Sequence, residues 1–189
     1  MSRSETFPPD GKRIIAPATD IVSVWRSYSV QIPAQYALGT AQHETNWTLN
    51  EVDTEDSGFV SMGIFQLSDE ERKQVGLPAA NLLALEDACK VLALVAAQRL
   101  TLLLQESAIT DPPYPSDIWA YLAVAHNEGT QAALKTIRRH GLDWMQWKRR
   151  NFQQLGNMCN YGDDCISGGS KWSTAFNGAP LSTTSSCSL

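Results

Sequence analysis

The longest apolar stretch of the chain constrains the fold more than any other feature. It covers residues 81–104, NLLALEDACKVLALVAAQRLTLLL, and is interrupted by Glu86, Asp87, Lys90, Gln98 and Arg99. A membrane span would hold those groups only at a high free-energy cost. Apolar or small residues recur at helical spacing at Leu82, Leu85, Cys89, Leu92 and Ala96. The stretch therefore predicts a long buried helix from Leu82 to about Gln105, with Cys89 in the core.

The other periodic segments also predict helices. Three are expected in the first half of the chain: residues 19–30 with Thr19 or Asp20 as the N-cap, Pro33 to about Glu44, and a short helix from the N-cap Ser68 to Gly76. Three more are expected over residues 118–127, over residues 130–140 before Gly141, and over residues 142–158. The last of these presents Trp144, Trp147 and Phe152. Residues 46–59 show no sustained period and are predicted as a loop. No alternating β-branched run is long enough for a substantial sheet. The predicted fold class is therefore mainly α.

The chain of 189 residues has the length of one well-buried domain. We assign residues 18–166 to this domain, residues 1–17 to a polar leader, and the serine- and glycine-rich residues 167–189 to a flexible tail. The leader lacks the apolar core of a secretory signal, so we expect synthesis in the cytoplasm without a cleavable signal peptide. Acidic residues outnumber basic ones, 20 to 15, which argues against a nucleic-acid partner. Cys159 and Cys165 flank a short loop and are a candidate disulfide pair.

Glu44 is an unusual residue for its position, because it ends a small apolar stripe of its helix. The stripe consists of Pro33, Ala37 and Ala41, with Tyr36 and Thr40 beside it. A carboxylate there meets the negative pole of the helix dipole and loses solvation, and both effects disfavour the ionised form. A glutamate that keeps its proton is what a general acid requires. The alternative is a glutamate that caps the helix poorly and points to water.

Two later segments favour the general acid. GIFQL begins at Gly63, and AVAHNEG, residues 123–129, ends a later helix. The order of motifs in the chain resembles that of the lysozyme-like superfamily, most of all soluble lytic transglycosylases and goose-type lysozymes. The order is a glutamate at a helix end, a loop, G-[apolar]-[apolar]-Q-[apolar], a long helix and x-N-x-G. Four segments of the family pattern have counterparts in this chain. Glu44-Thr45 stands at the family's E-S, and Ser57-Gly58 at its serine- or glycine-rich turn. Residues 63–66 stand at G-L-M-Q, and residues 125–129 at A-Y-N-A-G. The resemblance covers roughly residues 33–141 and implies a helical domain with a substrate cleft.

Two positions depart from the family pattern. His126 stands where the family usually has a tyrosine near the acid, and Glu128 replaces a small residue. An imidazole can hydrogen-bond to Glu44 through either nitrogen, but a protonated ring would favour the ionised carboxylate and work against a general acid. The alternative for His126 is a helix-end residue bonded to the backbone. We expect Glu128 to face solvent.

The resemblance implies a peptidoglycan-degrading glycosidase with Glu44 as the catalytic acid and base. Lytic transglycosylases cleave the bond after N-acetylmuramic acid with one carboxyl and close a 1,6-anhydro ring, without water, metal or cofactor. An inverting lysozyme-type hydrolase instead needs a second carboxylate, about 6.5–9.5 Å away, that activates water. Asp53 and Asp56, with Glu55 between them, are the candidates, although such acids commonly belong to a solvated loop. The sequence leaves both outcomes open.

Sugar rings stack on aromatic faces while their hydroxyl groups hydrogen-bond to polar side chains. The resemblance implies a set of substrate-binding candidates along the cleft: Ser57, Gly63, Phe65, Gln66, Tyr121, His126 and Asn127. Ordinary core packing is the alternative for Phe65 and Tyr121. The expected partner is the glycan strand of peptidoglycan.

Other functions stay open at this stage. Residues 43–45, HET, and 63–68, GIFQLS, also resemble family 19 chitinases and related phage endolysins, although the chain lacks room for their longer insertion before Gln-Leu-Ser. Chitin is therefore the second candidate substrate. A different class is a non-catalytic glycan-binding part of a phage tail or secretion apparatus. Without a signal peptide, such a protein would reach the cell wall or periplasm by phage- or secretion-mediated delivery, with a delivery apparatus or an immunity protein as candidate partners.

Overall fold

The computed structural model describes residues 5–6, 12–29, 31–55, 57–112, 114 and 116–142. In chain order the elements are β1 (Glu5–Thr6), α1 (Ala18–Tyr28), α2 (Ala34–Thr45), β2 (Val52–Thr54), β3 (Val60–Met62), β4 (Leu67–Ser68), α3 (Asp69–Gln74), α4 (Leu85–Glu106), α5 (Ser116–Asn127) and α6 (Thr130–His140). The prediction of a mainly α chain is confirmed. The helix predicted after Gly141, the pair Cys159 and Cys165, and the tail lie outside the described residues.

Helix α4 forms the centre of the core. It packs against α1, α3, α5 and α6, and the predicted stripe of Cys89, Leu92 and Ala96 is fully buried. The helix begins at Leu85 and not at Leu82, because Ala84 has an extended backbone (φ −100°, ψ 130°) that a helix cannot include. Within the part of the chain that the structure describes, no helix is both long and apolar enough to cross a membrane.

Prolines precede both α1 and α2. Pro17 and Pro33 have extended backbones with φ near −63° and −64°, and each is the N-cap of its helix. The prediction of Thr19 or Asp20 as the N-cap is therefore wrong, since both lie in the first turn of α1. A proline can start a helix without a side-chain cap because its φ already suits the next turn.

The turn between α1 and α2 is fixed by buried aromatic side chains. The Trp25 indole N–H donates to the Ile32 carbonyl at 2.9 Å. Its ring centroid lies 6.1 Å from that of Tyr36 in a tilted arrangement. Both rings are fully buried, so α2 is held along the length that leads to Glu44.

A small antiparallel sheet includes part of the segment that was predicted as a loop. The strand order is β1-β2-β3-β4, and Val52 pairs with Met62 while Thr54 pairs with Val60. The Glu55 N–H donates to the Phe59 carbonyl at 2.8 Å and closes the β2–β3 hairpin. The loop prediction is wrong for β2, because strands of two or three residues are too short to show alternation.

The segment over residues 12–17 runs beside the chain that leaves α2. The Leu49 N–H donates to the Ile14 carbonyl at 2.7 Å, and the Ala16 N–H donates to the Trp47 carbonyl at 2.9 Å. The Asn50 side chain accepts from the Ile14 N–H at 2.9 Å. The end of the leader is thus attached next to the turn that follows Glu44.

Candidate active site

Glu44 lies in the last turn of α2, at a helix end that hydrogen bonds hold in place. Asn46 caps the helix in the left-handed conformation (φ 49°), and its N–H donates to the Gln42 carbonyl at 3.3 Å. The Thr45 hydroxyl donates to the Ile64 carbonyl at 3.0 Å. The end of α2 is therefore attached to the turn between β3 and β4, which contains the G-I-F-Q segment.

The predicted neighbours Glu44 and His126 do meet in the structure. His126 lies in the last turn of α5, and its Nε2 is 3.7 Å from Oε1 of Glu44. That distance is too long for a hydrogen bond. The two side chains are only 9% and 5% exposed, so the contact lies almost entirely out of solvent.

Arg99 reaches the other side of the His126 ring. It belongs to α4, where Ala96 and Leu103 on the same face are fully buried, and its own side chain is 14% exposed. Its Nη1 lies 3.3 Å from Nδ1 of His126, and its Nη2 donates to Oε1 of Glu71 at 2.6 Å. One guanidinium therefore joins α5 to α3 through the core.

Glu71 satisfies both of its carboxylate oxygens. Oε1 accepts from Arg99, and Oε2 accepts from the Ser68 N–H at 2.8 Å and from the Ser68 hydroxyl at 3.1 Å. The Glu71 N–H in turn donates to the Ser68 hydroxyl at 3.2 Å, which completes a capping box at the start of α3. The prediction of Ser68 as an N-cap is confirmed.

The partners of His126 determine which ring nitrogen carries the proton. A guanidinium has only donors, so Nδ1 of a neutral ring must accept from Arg99. The proton of the neutral imidazole then sits on Nε2, the nitrogen that faces Glu44. This tautomer follows from the hydrogen-bond partners.

Burial and the Arg99 guanidinium lower the pKa of His126 to about 4, against the opposing effects of the Glu71 carboxylate and the Phe65 carbonyl. The ring is therefore neutral near pH 7, and the protonated state that would work against a general acid is not populated there. The Glu44 carboxyl lies 3.7 Å from this neutral ring. At neutral pH the two are thus neighbours and not an ion pair.

Glu71 compensates the Arg99 charge beside the ring. Burial raises the pKa of the Glu71 carboxyl, but the Arg99 guanidinium, His126 and the hydrogen bonds from Ser68 outweigh it, and the net pKa is lowered. Glu71 is therefore ionised and neutralises Arg99. The Tyr36 hydroxyl is fully buried, and burial raises its pKa well above the usual range. Arg99 opposes that shift, yet no hydrogen bond of acceptable geometry reaches this hydroxyl from the described residues.

The hairpin carries the predicted second carboxylates. Asp53 is half-buried on β2, opposite Ser61 of β3, and the exposed Glu55 begins the turn. Ser57 is exposed in that turn, where its hydroxyl accepts from the Phe59 N–H at 3.3 Å. Asp56 lies outside the described residues.

Gly63 and Gln66 shape the turn between β3 and β4. Gly63 has φ +75°, and a Cβ there would lie 1.9 Å from the Leu82 carbonyl oxygen. The half-buried Gln66 has φ 50°, donates from Nε2 to the Gly63 carbonyl at 2.9 Å and accepts from the Ser61 hydroxyl at 2.8 Å. Gly63 is thus required for close packing against the Leu82 backbone, in the turn before α4, whatever its role toward a ligand.

Two of the predicted sugar platforms belong to the core. Phe65 and Tyr121 are both fully buried, and the Tyr121 hydroxyl donates to the Gly141 carbonyl at 3.1 Å. Neither ring offers a face to a ligand, so core packing is the correct alternative for both. Asn127 is exposed at the end of α5, and Glu128 is exposed as expected.

Sequence reasoning missed Arg99 and Glu71 as members of the cluster. Each had a usable signal. Arg99 follows Ala96 on the core-facing stripe of α4, and a charge there must find a buried partner. Glu71 stands three residues after Ser68, in the spacing of a capping box. Neither signal identifies the partner, because Arg99 lies 28 residues beyond Glu71 and 27 before His126.

Over the described ranges, no group of three or more histidine, cysteine, aspartate or glutamate residues is arranged to hold a metal ion. Cys89 is a free, buried thiol. No protein-family model matches the chain, and neither a curated protein nor a solved structure is significantly similar to it. The residues of the cluster themselves therefore carry the functional argument.

Proposed function

We propose that this protein is a glycosidase that degrades peptidoglycan, with the carboxyl of Glu44 as its general acid. One observation carries the proposal: a glutamate at the C-terminal end of a helix is almost buried beside a histidine that is neutral at pH 7. Burial and the helix end both disfavour an ionised carboxylate. Neutral His126 adds no positive charge that would reverse this preference.

The resemblance of the G-I-F-Q and x-N-x-G segments to lysozyme-like enzymes supplies the substrate class. The bond attacked is the β-1,4 link between N-acetylmuramic acid and N-acetylglucosamine. Glu44 would protonate the leaving oxygen, which is the usual task of a general acid in glycoside cleavage. Since peptidoglycan lies outside the cytoplasm, the proposal also requires export or delivery of the chain, for example by a phage or a secretion apparatus.

Two outcomes are distinguished by what Glu44 does next. As a lytic transglycosylase, Glu44 would accept a proton from the sugar's own hydroxymethyl group while the 1,6-anhydro ring closes. As an inverting hydrolase, a second carboxylate would activate water, and Asp53 or Asp56 would supply it.

The test is mass spectrometry of the soluble fragments released from purified peptidoglycan. The natural chain, Glu44→Gln and Glu70→Gln should be compared. Glu70 is exposed on α3, so its substitution controls for the same chemical change away from the cluster. We expect fragments one water lighter than reducing muropeptides from the natural chain and from Glu70→Gln, and none from Glu44→Gln.

Reducing-end products would instead indicate a hydrolase, and Asp53→Asn would then be expected to abolish them if Asp53 is the second carboxylate. Asp111→Asn, at an exposed position in the loop between α4 and α5, makes the same chemical change away from the hairpin and is the matched control. No fragments from the folded natural chain would refute the proposal for peptidoglycan. The natural chain, Glu44→Gln and Glu70→Gln would then be tested on chitin, the substrate of the family 19-like alternative. Glycan binding that Glu44→Gln retains would indicate a non-catalytic binding protein.

A further inference from the structure

The polar cluster behind Glu44 is built from side chains of four helices. The groups that act on the His126 ring are His43 and Glu44 from α2, the Phe65 carbonyl from the turn between β3 and β4, Glu71 from α3 and Arg99 from α4. His43 is half-buried, and like Arg99 it lowers the pKa of His126. A glycosidase acid needs only its own carboxyl at the bond, so the buried pair behind it needs a separate explanation.

The geometry of the pair restricts what His126 can do. Arg99 occupies Nδ1 as a donor, so this nitrogen cannot take a proton without losing that contact. Nε2 is therefore a donor, and His126 is not a general base in this arrangement. This nitrogen lies 3.7 Å from Oε1 of Glu44.

Each half of the pair needs the other. An unpaired Arg99 would place a positive charge close to Glu44 and favour the ionised carboxylate. An unpaired Glu71 would favour a protonated His126, which would place a positive charge even nearer to Glu44. Joined at 2.6 Å, the two charges compensate one another while the Arg99 guanidinium still reaches Nδ1.

We propose that the Glu71–Arg99 pair is a positioning unit for Glu44: it holds the His126 ring as the neutral Nε2-protonated tautomer and keeps the Arg99 charge compensated by Glu71. Glu71 and Arg99 are positioning residues, since both act through His126. The catalytic part of this inference rests on the proposed function of Glu44. The state of the His126 ring does not, and it can be measured without a substrate.

The first test is nitrogen NMR of the natural chain labelled with ¹⁵N-histidine. The chain has three histidines, and His126→Gln assigns the resonances. We expect an unprotonated Nδ1 and a protonated Nε2 from pH 6 to pH 8. A protonated Nδ1, or a charged ring at pH 7, would overturn the inference. Because this measurement needs no variant of the pair, it stands even where such variants fold poorly.

The second test is the pH profile of kcat/KM on peptidoglycan for Glu71→Gln and for Glu71→Gln/Arg99→Met. The single substitution leaves Arg99 uncompensated, so the high-pH limb should move to lower pH by about one unit. The double substitution removes both charges and should return the limb to its natural position. Its kcat should stay reduced, because the contact of Arg99 with Nδ1 of His126 is lost.

Glu70→Gln is the matched control and should leave both the limb and kcat unchanged. A limb that stays in place in Glu71→Gln, or that fails to return in the double variant, would contradict the positioning role. If the natural chain has no activity, the proposed function fails by itself, and the NMR result alone then decides whether the pair holds the ring.

Discussion

Gly63→Ala tests how the G-I-F-Q turn is built, and the structure gives a magnitude for it. Gly63 has φ +75°, and the added Cβ would lie 1.9 Å from the Leu82 carbonyl oxygen and 2.9 Å from its carbonyl carbon. An L-residue in the left-handed region costs about 1–2 kcal/mol by itself. The overlap adds more, because the atoms that the Cβ meets belong to the Leu82 backbone in the turn before α4 and must shift by about 1 Å. We expect a total loss of about 4 kcal/mol or more, the range of severe core substitutions.

Gly58→Ala is the control for the backbone part of that cost. Gly58 has φ +81° in the hairpin turn, and a Cβ there would meet nothing within 4 Å. This variant should lose only about 1–2 kcal/mol. Urea unfolding followed by circular dichroism would measure both. Equal losses for the two variants would refute the close packing of Gly63 on Leu82 and return Gly63 to the list of substrate contacts.

Three further predictions concern the cluster. The free energy of unfolding should fall by up to about 3 kcal/mol as the pH falls from about 6.5 through 4, because the folded pKa of His126 is about 4 and the unfolded chain binds the proton first. Urea unfolding of the natural chain at several pH values would measure this fall. The same experiment on His126→Gln should show that the dependence is lost. Ser68→Ala should cost about 1 kcal/mol by removing the cap of α3, as a thermal melt would measure. Arg99→Met alone should cost about 3–5 kcal/mol, and adding Glu71→Gln should recover much of this in a double-mutant cycle, whereas additive losses would contradict a buried pair.

The sequence predicted those features that depend on local periodicity. The stripe of Ala37 and Ala41 is buried, and Glu44 ends it with a nearly buried side chain. Gly76 follows the end of α3, and Gly141 caps α6, as their positions after periodic segments indicate. Each of these results follows from the 3.6-residue period and from helix-end preferences, which a single sequence displays directly.

What the sequence could not predict depends on pairing across the chain. The strands β2 and β3 are visible only through their register with one another, since three residues show no period. Phe65 belongs to the G-I-F-Q segment that follows the proposed acid in the order of motifs, yet its side chain is fully buried in the core. A motif gives the order of residues along the chain, but the direction of a side chain depends on the elements that pack around it.

The capping box explains why the segment around Ser68 and the acid on α2 belong to one site. Glu71 uses one oxygen to cap α3 and the other to neutralise Arg99, so the start of α3 fixes the position of the guanidinium. Arg99 then fixes the His126 ring, whose Nε2 faces Glu44. The capping box at Ser68 and the Glu44 carboxyl are thus joined by consecutive polar contacts. A change at Ser68 should therefore alter the pH profile of the proposed Glu44 activity as well as stability, which a cap without this connection would not do.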